Sequence, residues 1–91
     1  MIDLKALQKR VYQNKVNHGF NVTNIPLEFT LTYGELSEAF EAWRRKQESV
    51  GEELADVLIY LMGLAEILGV NLEEVTITAT ADSVHLQLPR V

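Results

Sequence analysis

The stretch "GEELADVLIYLMGLAEILG", residues 51–69, decides the fold. From Val57 to the stop at Gly69 it is apolar on nearly every side of a helix, so a helix here needs cover all round. A chain of 91 residues can hardly supply that cover from one subunit. The expected architecture is therefore an all-α, antiparallel helical bundle completed by homodimerisation, with this helix near the shared axis. Just upstream, Ser49 and Glu52 form an S-x-x-E pattern, which predicts a capping box at the helix start.

Working outward, Asp3 is the expected N-cap of a first helix that ends at Gly19, with His18 in its last turn serving the dipole or loose carbonyls. "FNVTNIP", residues 20–26, reads as a loop in which Asn24 caps a second helix running from about Pro26 to Lys46. Phe29, Leu36, Phe40 and Trp43, with Tyr33 beside them, draw one apolar face on that helix, a pattern expected of core. Asn71 caps a fourth helix to about Thr80. Within it, "VTITATA", residues 75–81, mixes strand-like alternation with a helical face, and the tail from about residue 80 stays undecided.

A chain of this length buries only about two thirds of its unfolded surface, so residues 1–91 are expected to form a single domain. The absence of cysteine excludes a disulfide framework and a thiolate nucleophile. No signal-peptide pattern is present, so a cytoplasmic setting is expected. The apolar run Val57 to Ala65 falls far short of the ~20 residues a membrane span needs. A net charge of −5 and a pI near 4.9 argue against a nucleic acid polymer as partner and favour cations.

Two acidic pairs carry the chemistry. Glu35 and Glu38 sit three apart on the second helix, as do Glu53 and Asp56 on the third, so each pair shares a helix face. Antiparallel packing across a short connection sets Glu38 opposite Glu53 and Glu35 opposite Asp56. Like charges gathered there would protonate or separate unless a cation joined them. Hard oxygen donors select magnesium, with manganese as a substitute, and such a site suits water attack on a phosphoanhydride. On spacing alone, ordinary solvated helix faces explain the same pairs.

The continuous text "GELSEAFEAWRRKQESVGEELADVLIYLMGLAEILGVNLEEV", residues 34–75, resembles the MazG-like, all-α nucleoside triphosphate pyrophosphohydrolases, which include dimeric dUTPases and dCTP pyrophosphatases. Their signature is an ExxE pair on one helix and an ExxD pair on the next, and Glu53 to Asp56 match the second half closely. The resemblance implies magnesium-dependent hydrolysis of a (deoxy)nucleoside triphosphate to the monophosphate and pyrophosphate, a nucleotide-pool house-cleaning role. It also implies a bundle built by two subunits, sometimes paired into tetramers. Glu35, Glu38, Glu53 and Asp56 become the expected metal and catalytic residues.

Two departures stand beside this likeness. Many members read "EExxE", and that alignment puts Leu31 and Thr32 where acids are usual, which predicts a weakened second-metal site. The tail "TITATADSVHLQLPRV" keeps only Arg90 among the lysine, asparagine and arginine residues that relatives use on substrate. Phosphate charge then falls to Lys15, Arg44, Arg45 or Lys46, each with an alternative as a solvated helix-end charge. Tyr60, one turn after Asp56, matches a pocket position and equally suits core packing. The rival expectation is a helical interaction module of the same family without turnover.

Overall fold

The computed structural model describes residues 2–86, with side chains to residue 80, and within that range the chain is all-α. Four helices follow one another: α1 (Leu4–Asn17), α2 (Ile25–Arg44), α3 (Val50–Ile67) and α4 (Leu72–Leu86). The fourth continues as helix through the threonine-rich segment to Leu86; the remainder of the tail, with Arg90, lies outside the described residues. No described helix is long and apolar enough to cross a membrane.

Local chemistry fixes the helix ends. The Asp3 carboxylate accepts from the Ala6 amide at 3.0 Å, Asn24 Oδ1 from Leu27 at 3.1 Å, and Asn71 Oδ1 from Glu74 at 3.2 Å. Each satisfies an amide that has no partner within its own helix. The expected box at Ser49 does not form. Its backbone (φ −74°, ψ 0°) already turns like a helix, so the hydroxyl makes no capping hydrogen bond, because capping needs an extended backbone at that residue. Glu53 instead donates its amide to the Ser49 carbonyl at 3.0 Å.

Helices α1, α2 and α3 end alike, with a left-handed residue and paired amide-to-carbonyl bonds reaching back into the last turn. Gly19 (φ 71°) and Gly69 (φ 73°) fill that position after α1 and α3, whereas Lys46 (φ 57°) fills it after α2. There the Lys46 amide bonds the Trp43 carbonyl at 3.0 Å and the Gln47 amide bonds Ala42 at 2.8 Å. His18 serves the end of α1, its Nδ1 donating to the Asn14 carbonyl at 2.8 Å.

α3 is the centre of the assembly: α2 packs on it most extensively, α1 covers another side, and α4 touches α1. The α2 face that meets α3 differs from the expected one. Glu28, Ala39 and Ala42 are buried and Thr32 and Glu35 half-buried, which defines a stripe at intervals of four and three. Small alanines allow close approach of the two helices. The aromatic stripe lies one residue further round and is exposed: Tyr33 at 71 %, Leu36 at 54 %, Phe40 at 55 % and Trp43 at 67 %. On α3, Met62, Gly63, Leu64 and Ala65 are buried, while Leu54, Leu58 and Leu61 face outward.

Gly63 marks a close approach of α1 to α3. A Cβ there would stand 3.0 Å from Lys15 Cδ and 3.7 Å from Val11 Cγ1. Gln8 ties three elements together from a buried position. Its amide nitrogen donates to Glu66 Oε1 (3.0 Å) and the Val70 carbonyl (2.6 Å), and its oxygen accepts from the Leu72 amide (3.3 Å).

Candidate functional site

α2 and α3 run antiparallel, so residues early in α2 meet residues late in α3. Glu28 and Leu31 share a groove with Ile59 and Tyr60, whereas Glu38 and Arg45 share a cleft with Glu53. The two acidic pairs lie between these ends. Glu35, Glu53 and Asp56 are half-buried and Glu38 is exposed.

The four carboxyl groups feel one another. Glu35 is pushed up from 4.5 to about 7, first by the hydrogen bond it shares with Glu38, then by burial, and then by the charges of Glu38, Asp56 and Glu53. A carboxyl among three others holds a proton because the second negative charge is costly there. Among the described residues, no group of three or more histidine and acidic side chains is gathered closely enough to hold a metal ion as it stands. A proton shared between Glu35 and Glu38 relieves the repulsion. The same all-oxygen donor set, with a proton already drawn to it, fits a hard divalent cation that would displace that proton.

Beside the quartet a groove of about 660 Å³ opens between α1 and the start of α2. Its floor is an ion pair that reading the sequence missed: the Lys15 ammonium bonds Glu28 Oε1, with Lys15 8 % and Glu28 1 % exposed. Glu28 Oε2 also accepts from Asn21 Nδ2 at 3.0 Å. Lys15 Nζ lies 5.4 Å from the Tyr60 ring centre, within reach of a cation–π attraction. Tyr60 connects groove to quartet, and its phenol is raised above the ordinary value by burial, then by Glu35, Glu28, Asp56 and Glu38.

A MazG-like family model matches residues 28–88, more than half of the chain. The chain belongs to the MazG-like family. Membership suggests a nucleotide pyrophosphohydrolase-type domain, and the matched segment of this MazG-like chain contains all four carboxylates and Tyr60 while leaving α1 outside. No significant match was found among curated proteins or solved structures.

The remaining sequence candidates divide by position. Lys15 lines the groove with its charge engaged by Glu28. Arg44 forks onto Glu41, Nε at 3.0 Å and Nη2 at 2.7 Å from Oε2, on the exposed side of α2. Arg45, not Arg44, lines the cleft beside Glu38 and Glu53. Thr32 turns its hydroxyl back to the Glu28 carbonyl at 2.8 Å, and Leu31 faces the groove. The sequence signal for Glu28 was its place seven residues before Glu35, on the stripe that meets α3. A carboxylate in the first turn of a helix is favoured by the dipole whatever it pairs with, so its position alone does not reveal the pairing.

Proposed function

We propose that this protein hydrolyses nucleoside triphosphates, deoxynucleotides among them, to the monophosphate and pyrophosphate in a magnesium-dependent reaction that cleans the nucleotide pool. The observation that carries the reading is Glu35 sharing a hydrogen bond with Glu38 and feeling the charges of Asp56 and Glu53 from α3, which together with burial push it up to about 7. The adjoining groove is of a size that suits a nucleoside.

Glu35, Glu53 and Asp56 would hold one magnesium ion, with manganese as a substitute and Glu38 completing the set. When bound, the ion neutralises phosphate charge and polarises the anhydride. Water is the nucleophile in this reading. His18 is committed to the Asn14 carbonyl and cannot serve Ser37 or Ser49 as a base. The water oxygen bonds to phosphorus, the anhydride bond between the α- and β-phosphates breaks, and the proton passes to Glu38, the most open of the four carboxylates. Carboxylates carried on packed helices keep their spacing better than loop residues would.

Self-association belongs to the same proposal. The exposed stripe from Tyr33 to Trp43 and the Leu54, Leu58 and Leu61 row call for a second copy. A dimer, or a pair of dimers, would cover them, and no nucleic acid polymer is expected as a partner of a chain with net charge −5.

The test is a panel of nucleotides with magnesium or manganese, read by pyrophosphate release. Product is expected with wild type and none with Glu53→Gln, whose oligomer and helical signal should stay intact; full activity in that variant overturns the ligand assignment. The second reading, a MazG-like interaction module without turnover, is favoured by Thr32, whose hydroxyl is spent within α2 where relatives carry an acid. Metal binding with no product from any nucleotide would decide for it.

A further inference from the structure

The carboxylate quartet has two different neighbours, one at each end of the α2–α3 seam. Towards the start of α2 lies the groove, whose walls combine apolar Val11, Phe20 and Ile59 with the amides of Asn14 and Asn17. Its Lys15 charge is cancelled by Glu28, so the floor offers no free cation to a phosphate. Arg10 stands on the groove wall facing solvent. Apolar walls with convergent amides suit a flat heterocycle, which stacks on its faces and hydrogen-bonds along its edge.

The opposite end holds a smaller cleft of about 280 Å³, lined by Glu38 and Glu53 together with Ser37, Arg45 and Gln47. Arg44 and Arg45 differ sharply here. Arg44 spends its Nε and Nη2 donors on Glu41, on a side of α2 outside the cleft. Arg45 has one long ion pair, Nε to Glu41 Oε2 at 3.5 Å, and no side-chain hydrogen bond among the described residues. Its guanidinium donors therefore remain for a ligand, in the fork geometry that matches phosphate oxygens. Ser37 and Gln47 add neutral donors on the same wall.

Resting on the proposed hydrolase reading, we infer that the nucleotide lies along the α2–α3 seam in one direction, with its base in the groove against Phe20 and Tyr60 and its terminal phosphates at the cleft, where Arg45 binds the departing pyrophosphate. The scissile anhydride then spans the carboxylates, midway between an apolar, amide-lined groove and the Arg45 guanidinium. Arg45 takes over the phosphate contact that the sequence assigned among Lys15, Arg44, Arg45 and Lys46.

The experiment measures binding with magnesium present, by calorimetry or displacement, for three probes: inorganic pyrophosphate, deoxynucleoside monophosphates and triphosphate analogues with a non-hydrolysable α,β-bridge. Arg45→Ala should weaken pyrophosphate and triphosphate by about tenfold, the scale of a charge-assisted hydrogen bond, and shift monophosphate by less than about twofold. Phe20→Ala should weaken mono- and triphosphate by about tenfold, the scale of one lost base stack, and spare pyrophosphate. Both side chains are exposed, and Asn17→Ala in the same wall replaces Phe20→Ala should the latter lose helical signal. A reversed pattern, or equal losses across all probes, overturns the orientation while leaving the hydrolase reading standing. Wild type that binds none of the three overturns both.

Discussion

Lys15 and Glu28 place opposite charges at buried positions. Such a pair adds little net stability over a well-packed apolar pair, but losing one partner strands the other and costs about 3–5 kcal/mol. Glu28→Gln is therefore expected to lower unfolding free energy by about that amount in denaturant titrations, and the double change Lys15→Met with Glu28→Leu should recover most of it. Glu35 makes a separate prediction. Its folded value of about 7 lies above its ordinary 4.5, so the group stabilises the metal-free fold fully below about 4.5, and that contribution disappears as pH rises through about 7. Thermal melts without metal should thus weaken across this window, Glu35→Gln should flatten the trend, and magnesium should restore the melting temperature above it. A metal-free protein whose stability rises across the same window would refute this.

At the scale of elements, α2 has two stripes, and they do different work. The stripe of Glu28, Thr32, Glu35, Ala39 and Ala42 faces α3, although only its alanines are apolar. Apolar periodicity located the helix correctly but pointed to the wrong face, because the pattern marks surface that must be buried somewhere, in this chain or another. Small residues and carboxylates were chosen by close packing and by the site. The caps at Asp3, Asn24 and Asn71 were legible because they depend on two or three neighbours. Ser49 shares their chemistry but lacks the extended backbone that capping requires, a property of the turn and not of the residue. Gly63 was equally silent in sequence. Alanine in mid-helix usually gains up to about 1 kcal/mol over glycine, yet here its Cβ would press on the Lys15 stem, whose ammonium is held by Glu28. Gly63→Ala is expected to lower the melting temperature, and a rise would show that Lys15 is free to move.

For the whole molecule, the Cα radius of gyration is 14.9 Å, against roughly 12 Å for a compact chain of this length. The excess fits an open arrangement in which one side of α2 and α3 waits for cover. Trp43→Glu and Leu58→Glu should each shift wild-type dimers or larger assemblies to monomers in sedimentation experiments, and a wild-type monomer at high concentration would exclude the expected assembly. Of the site, the quartet was readable from three-residue spacing plus one assumption, antiparallel packing. Its setting was not, since the Lys15–Glu28 floor and the cleft that Arg45 lines with Glu53 depend on contacts between separate helices.

In the proposed function those carboxylates act as one cation site, and a calorimetric titration of manganese into wild type and Glu53→Gln tests this most directly. One tight ion per subunit is predicted for wild type, with protons released as Glu35 ionises, and none for the variant. No bound ion, a second tight ion per subunit, or the same binding in both proteins would contradict it.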